Sequence, residues 1–243
     1  GPTGSGKTTT LYAGLRYLSD SSQNILTVED PIEYTLNGIG QTQVNNKTGY
    51  TFAKGLRAIL RQDPDIVMVG EMRDIETAQI GIQSSLTGHL VLSTVHTNSA
   101  VAAITRLRDM GIESFLLASS LRTIISQRLV RRLCPHCKTK DKPSIKSIDI
   151  FGLDKNKSVY SAKGCDECNH TGYQGRIAIA ECIQIDKTLK DFIHNNASEN
   201  EISEYVFKDN QSIDQASVDL ITSGVTSCEE IIRINNIQED ASI

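Results

Sequence analysis

The sequence predicts an α/β protein built on a parallel sheet, and two observations carry the prediction. The first 120 residues alternate short apolar runs with amphipathic stretches, the order that strand–helix–strand units produce. The chain also opens on Gly1-Pro2-Thr3-Gly4-Ser5-Gly6-Lys7-Thr8, a full G-x-x-x-x-G-K-[ST] motif followed by a helix-like segment over 9–18. In such a loop the glycines let backbone N–H groups turn toward phosphate oxygens, and the next helix offers its positive N-terminus. Lys7 would reach the β- and γ-phosphates of a nucleotide, and the Thr8 hydroxyl would bind Mg²⁺. A phosphate loop follows a strand, so a chain that begins on the motif is expected to be a fragment lacking that strand.

The elements follow in order. Residues 25–28 and 66–69 are short apolar runs bounded by acidic residues or glycine and are predicted as buried strands; 90–95 is a third. Residues 51–62 are predicted helical, with Phe52, Leu56, Ile59 and Leu60 on one face and Arg57 and Arg61 at i, i+4 beside it. Segments 75–86 and 100–110 are further amphipathic helices, and 115–133 a longer one. Near Cys134 the composition shifts to a lysine-rich stretch with little apolar periodicity, and 177–185 returns to strand-like character. From Asp191 onward eleven Asp/Glu face two Lys/Arg, with weak helical periods at Ile202 and Val206, Ala216 and Leu220, and Ile231 and Ile232. The expected organisation is a core over 1–133 that continues at about 176–190, a cysteine-bearing subdomain over 134–175, and a small helical subdomain over 191–243.

Composition bounds the function. With 243 residues, 39% hydrophobic content and a net charge of −4, the chain has the makeup of a soluble globular protein of one or two domains. No apolar run approaches the roughly 18 residues of a membrane span, and no charged-then-apolar leader is evident. The acidic balance and 5% aromatic content argue against a nucleic-acid binder.

Four of the six cysteines form two C-x-x-C pairs, Cys134/Cys137 and Cys165/Cys168, separated by 27 residues. Two such pairs supply the four soft ligands of a closed tetrahedral zinc site. A site with no open position is structural: it folds a segment too small and polar to fold alone. His136 and His170 lie beside the pairs as substitute ligands or bystanders. Cys182 and Cys228 have no partner pattern and are expected to be small buried hydrophobes. The stretch 122–142 carries seven Lys/Arg against one Asp; this charge compensates the thiolates, forms a solvated face, or meets a partner.

Polar groups gather where the predicted strands end. Ile66-Val67-Met68-Val69-Gly70-Glu71 is an apolar strand ending in a carboxylate, with Gly70 where many phosphate-loop enzymes place a magnesium-facing Asp. Metal coordination by Thr8 and water is therefore expected, with Glu71 polarising an attacking water. Glu29, Asp30 and Glu33 cluster after the first strand and His96 after the third, all at the carboxyl edge, where ligands of parallel sheets bind.

These segments together resemble a known family. The phosphate loop, Glu29-Asp-Pro-Ile-Glu33, Arg61-Gln-Asp-Pro-Asp-Ile-Val-Met-Val-Gly-Glu71 and Thr87-Gly-His-Leu-Val-Leu-Ser-Thr-Val-His-Thr-Asn98 are similar to the Walker A, Asp box, Walker B and His box of the secretion ATPase superfamily. That superfamily powers type II secretion and type IV pilus machines. The cysteine pairs and Gly38-Ile-Gly-Gln-Thr-Gln43 look more like the type II secretion ATPases than the pilus branches. The resemblance implies a RecA-like P-loop core with an inserted zinc subdomain and a helical C-terminal subdomain. It implies a homohexamer with ATP bound between subunits, Glu71 as catalytic glutamate, Glu33 positioning water or metal, and His96 sensing the γ-phosphate. Arg57 and Arg61 would couple neighbouring subunits. The cofactors implied are ATP, Mg²⁺ and structural Zn²⁺. The implied location is cytoplasmic, held peripherally at the bacterial inner membrane by platform and cytoplasmic-domain partners, with no nucleic acid. The family's main phosphate-facing arginines come from a domain before the P-loop, so this chain alone is expected to be weakly active. The alternatives are a type IV pilus assembly ATPase, a RecA-like nucleic-acid motor, and a nucleotide-binding module without turnover.

Overall fold

The structure, a computed structural model, describes residues 1–20 and 22–239. The chain divides into two compact units, Gly1–Ile124 with Ile183–Lys208, and Ile125–Cys182 with Asp209–Ile243.

In the first unit, α1 (Lys7–Leu18), β1 (Ile25–Glu29), β2 (Gly40–Gln43), α2 (Phe52–Ile59), β3 (Ile66–Val69), α3 (Ile75–Leu86) and β4 (Leu90–Ser93) build a parallel sheet of order β2-β1-β3-β4. The register aligns Val28 with Val69, and Val69 with Ser93. Strand side chains alternate between faces, and the two faces of β3 are both apolar. Ile66 and Met68 pack with Ile25, Tyr12 and Leu15 beneath α1. Val67 and Val69 pack with Val28, Leu56 and Ile59 beneath α2. A four-residue run buried throughout is what a strand covered on both sides requires. The edge strand β2 was not among the expected strands: Gly-Gln-Thr-Gln has no apolar residue to announce it. A Cβ on its Gly40 would lie 2.6 Å from Leu26 Cδ2, so the Leu26 side chain would have to shift to admit one.

Two predicted helices are shorter than expected. The helix over 51–62 stops at Ile59. Asp63 turns into the left-handed region (φ 50°) and Pro64 follows, a combination no helix continues through. Arg57 is helical, but Arg61 lies in the turn beyond. The helix over 115–133 is corrected more deeply: α5 ends at Ser120, after α4 (Ala100–Asp109), and the chain becomes β5 (Thr123–Leu133). The β-branched run Thr123-Ile124-Ile125 favours strand, and β5 pairs with β8 (Tyr173–Gln184) across the sequence. The helices α3, α4 and α5 share a core with α7 (Lys187–His194) and α8 (Glu199–Val206), through Ala78, Ile104, Leu117, Ile193 and Ile202 among others. Arg108 closes this bundle, its guanidinium donating to the carbonyls of Ile193 and Ala197, each at 2.9 Å.

The second unit holds most of β5 and β8, the antiparallel pair β6 (Thr139–Asp141) and β7 (Val159–Ser161), α6 (Ile145–Phe151), α9 (Ile213–Thr222) and α10 (Cys228–Glu239). Its core gathers Val130, Ile179, Ile213, Ile221, Cys228 and Ile231. The compact units thus divide the chain differently from the expected organisation. The expected helical tail separates, because α7 and α8 carry apolar faces that pack in the first unit while α9 and α10 pack in the second; its last residues, 240–243, lie outside the described residues. The cysteine-bearing unit is also larger than 134–175, since it takes most of both long strands. Cys228 is buried as expected, but Cys182 is exposed, because alternation along β8 turns it away from the core side that Ile179, Glu181 and Ile183 share.

A buried carboxylate ties this unit together. Glu230 on α10 is 1% exposed and accepts from Arg131 Nε (2.8 Å), the Arg131 amide (2.9 Å) and Arg233 Nε (2.9 Å). The Arg131 guanidinium also lies 4.1 Å over the Tyr173 ring. Burial alone would raise the pKa of Glu230; the hydrogen bonds from Arg233 and Arg131 outweigh it and lower the value from 4.5 to about 2. A carboxyl depressed in the folded state stabilises fully above its ordinary pKa and loses that contribution as pH falls through the folded value. Stability should therefore decline from about pH 4.5 toward pH 2 in the parent, and Glu230→Gln should flatten that window while costing about 1.5–3 kcal/mol at neutral pH. Urea unfolding followed by circular dichroism at stepped pH checks both effects.

Candidate functional site

The Gly1–Thr8 segment wraps tightly before α1. Gly4 (φ 77°) and Gly6 (φ 89°) both occupy the left-handed region, where a side chain would be strained. Gly6 is the N-cap of α1, and no side chain caps the helix, which leaves its first amides without a capping acceptor. The Lys7 ammonium folds back over the loop, donating to the carbonyls of Gly1 (2.7 Å) and Pro2 (2.9 Å). Burial lowers the pKa of Lys7, and the nearby Glu71 carboxylate opposes the shift.

Glu71 stands just past the end of β3, 8% exposed. Its carboxylate pairs with Arg73 at 2.6 Å and approaches His96 Nε2 at 3.4 Å. The strand ends are stitched together beside it: Thr94 Oγ1 donates to the Gly70 carbonyl (2.8 Å), the Met72 amide to the Thr94 carbonyl (3.0 Å), and the Gly1 nitrogen to the Val95 carbonyl (3.3 Å). Lys7, Glu71 and His96 are thereby brought together at the carboxyl edge of the sheet. Burial lowers the pKa of His96, the Lys7 charge adds to the effect, and Glu71 opposes it. The shift favours the neutral imidazole, whose ring nitrogens accept or donate one hydrogen bond each as the tautomer dictates.

The other predicted positions are arranged differently. Thr8 is exposed on the first turn of α1, and Glu33 is exposed beyond β1, its amide donating to the Tyr12 hydroxyl at 3.3 Å. Of the three carboxylates at the end of β1 and just beyond it, Glu29, the strand's last residue, is the buried one, taken up by hydrogen bonds rather than facing solvent. Arg57 is committed to Glu76 of α3 at 2.7 Å on the surface, and Arg61 is exposed. Arg73, which holds Glu71, escaped sequence reasoning; its spacing of two residues from the glutamate was the available clue. A groove of about 430 Å³ lined by Leu18, Pro64, Asp65, Thr87 and His89 opens at the opposite, amino-terminal end of β3 and β4. Its acid is already bonded to the Asn24 amide at 2.7 Å, so it lacks the charge cluster found at the carboxyl edge.

In the second unit the Sγ atoms of Cys134, Cys137, Cys165 and Cys168 all lie within 4.8 Å of one another. Individual separations are 3.9 Å for Cys134–Cys165 and 3.8 Å for both Cys137–Cys168 and Cys165–Cys168. Those lengths exclude disulfides, whose sulfurs sit about 2.05 Å apart. They match the edge of a tetrahedron with a metal–sulfur bond of about 2.3 Å, which is about 3.8 Å. Amides of Cys165 (3.3 Å) and Gly172 (3.2 Å) donate to Cys168 Sγ, the contacts that favour a thiolate. The donor set fits zinc. His170 instead points its Nε2 at Asp166 Oδ1, 3.1 Å away.

A family model for the Type II/IV secretion system protein matches residues 1–233. The chain belongs to that family. It is 55% identical over 236 residues to the type II secretion system ATPase E of Vibrio cholerae, and 56% and 54% identical to type II secretion system protein E of Pseudomonas aeruginosa and Aeromonas hydrophila. In each case the match takes in 96% of this chain and 47% of the relative, so the chain spans about half the length of these curated relatives. Among solved structures, that of the pilus retraction motor PilT with bound ADP is similar at a TM-score of 0.71 and 30% identity, covering 95% of this chain and 58% of that one. The Legionella pneumophila ATPase DotB is similar at a TM-score of 0.69 and 25% identity, covering 97% and 58%. The parallel α/β fold is therefore that of secretion-family ATPases, and among the described residues no helix is long and apolar enough to cross a membrane.

The charges around His96 give a signed expectation. Lys7→Ala removes a cation and should raise the His96 pKa, whereas Glu71→Gln removes an anion and should lower it further. An NMR titration of the His96 imidazole in each variant checks the two directions.

Proposed function

We propose that this chain is the catalytic part of a P-loop ATPase motor with a RecA-like core. It hydrolyses ATP to ADP and phosphate in order to drive pseudopilus assembly and protein export by type II secretion. The observation that carries the reading is the grouping of Lys7, Glu71 and His96 beside a glycine-rich turn and an uncapped helix N-terminus, at the carboxyl edge of a parallel sheet. The high identity to relatives named for type II secretion favours that branch over pilus assembly.

The backbone of Gly1, Pro2, Thr3, Gly4, Ser5 and Gly6 cradles the phosphates, and Lys7 exchanges its loop carbonyls for phosphate oxygens. Thr8 would hold Mg²⁺, which supplies charge neutralisation on the phosphates. Glu71, kept in place by Arg73 and His96, orients the attacking water and takes its proton. Glu33 assists in positioning the water or metal. His96, neutral and at the same edge, reads the γ-phosphate. Most of the rate enhancement in such chemistry comes from positioning and charge stabilisation. In the assembled motor, a homohexamer, Arg57 and Arg61 couple neighbouring sites. Zinc held by Cys134, Cys137, Cys165 and Cys168 stabilises the second unit and takes no part in hydrolysis, since four thiolates leave it no open position. The motor works in the cytoplasm at the inner membrane, recruited by platform and cytoplasmic-domain proteins of the secretion machine, without nucleic acid.

In the full-length protein, Lys7→Ala and Glu71→Gln should each lower ATP turnover by at least about a hundredfold while leaving the circular dichroism spectrum unchanged. A Lys7→Ala enzyme that still turns over would overturn the P-loop assignment. Elemental analysis of reduced, metal-replete protein should find about one zinc per chain; finding none would end the zinc assignment.

A further inference from the structure

The segment that carries Glu33 is not a free loop. Behind it lies a buried polar network built from three elements of the first unit. Tyr12 of α1 is fully buried, Thr27 is fully buried and Glu29 is 2% exposed, although none of these three polar groups belongs to the reacting cluster. On β1, Thr27 and Glu29 share the face beneath α1, and register places Gln41 of β2 opposite Thr27 on that face. The Glu29 carboxylate accepts from Tyr12 Oη, from Thr27 Oγ1 at 2.6 Å and from Gln41 Nε2 at 3.0 Å. All three donors are neutral, so the buried carboxylate is held by hydrogen bonds alone.

The same groups reach forward to the Glu33 segment. The Glu33 amide donates to Tyr12 Oη at 3.3 Å. The Leu36 amide donates to Gln41 Oε1 at 2.6 Å, and Gln41 Nε2 donates to the Tyr34 carbonyl at 3.3 Å. Two residues along β2, Gln43 Oε1 accepts the Ile32 amide at 3.2 Å. The Tyr34 ring stands edge-on to Tyr12, centroids 4.7 Å apart. These hydrogen bonds from α1, β1 and β2 to the Glu33 segment all run through Tyr12, Glu29 or the two glutamines of β2, and Arg16 of α1 adds a cation–π contact 5.4 Å over the Tyr34 ring. Tyr12 lies five residues after Lys7, on the helix that Lys7 begins.

We propose that Tyr12, Glu29 and Gln41 form a positioning clamp that fixes the Glu33 segment to the phosphate-loop helix, so that the Glu33 carboxylate keeps a set place relative to Lys7 and Thr8. The clamp rests on the role given to Glu33 under Proposed function. It assigns a purpose to the Gly38–Gln43 motif: polar residues at 41 and 43 supply both a donor to Glu29 and acceptors for the segment's amides, which no apolar edge strand could do. Burial and the bond to Glu29 raise the Tyr12 pKa to about 12, keeping the hydroxyl a donor throughout the physiological range.

The test is a mutant cycle in the full-length protein, reading ATP turnover and, separately, binding of a fluorescent ATP analogue. Tyr12→Phe keeps the ring and deletes one hydroxyl; it should lower kcat by about tenfold or more and leave nucleotide affinity within about twofold. Gln41→Leu, at a half-exposed position on an edge strand, should do the same and serves if Tyr12→Phe fails to fold. In a Glu33→Gln background, either change should have little further effect on kcat, because residues acting through one group are not additive. Hydrogen exchange gives a readout independent of activity: the Glu33 amide should exchange faster in Tyr12→Phe, and the Leu36 amide in Gln41→Leu. If Glu33→Gln itself impairs turnover but the losses add in the double variants, the clamp is overturned while the role of Glu33 stands. If Glu33→Gln turns over like the parent, the role of Glu33 falls and the clamp loses its object. Unchanged exchange at both amides would overturn the clamp regardless of kinetics.

Discussion

Parallel pairing of β1, β3 and β4 is the constraint on which the rest of the first unit depends. Strands that run the same way and stay in register release their following loops at one edge. The segments after β1, β3 and β4 therefore emerge side by side, carrying Glu33, Glu71 and His96. The Thr94–Gly70 and Met72–Thr94 hydrogen bonds then lock the second of these loops to the third. The sheet can hold such an edge because its middle strand is apolar on both faces, and the burial of β3 between α1 and α2 supplies the cohesion that the polar edge lacks.

Two of the buried glutamates, Glu230 and Glu29, are held in different ways. Glu230 takes two guanidinium groups, each still partly in water, so its charge is more than balanced locally, and the bond to Arg131 anchors α10 to β5. Glu29 takes three neutral donors, which satisfy its oxygens without cancelling its charge. The second arrangement ties together three separate elements at the carboxyl edge of the sheet. A buried polar network of this kind specifies geometry more than it adds stability.

The strands over 25–28, 66–69 and 90–95 were legible as short apolar runs, the last ending early at Ser93, and the helices over 75–86 and 100–110 from their amphipathic spacing, with ends marked by acids, glycine or a capping serine. The strand over 123–133 was not legible: beyond its β-branched start, its mixture of apolar and basic residues also fits a helix, and pairing with β8, some fifty residues away, selects the extended form. β2 was hidden for a related reason, since its side chains serve hydrogen bonding rather than a core. The exposure of Cys182 and the division of α7 and α8 from α9 and α10 depend in the same way on what each face packs against.

For the site, the sequence by itself determined the chemistry on offer: a glycine-rich loop with lysine and threonine, a glutamate at a strand end, a histidine after another, and two cysteine pairs. Those are local patterns, set by the conformations glycine permits and by which side chains bear charge or soft sulfur. The tertiary structure decided which of them meet. It joined Lys7, Glu71 and His96 across some ninety residues, added Arg73, closed four sulfurs to tetrahedral spacing, and turned Glu29 inward while leaving Glu33 exposed. Such choices follow from strand register and from which face of an element is covered, and both are set by long-range packing, which no local pattern encodes.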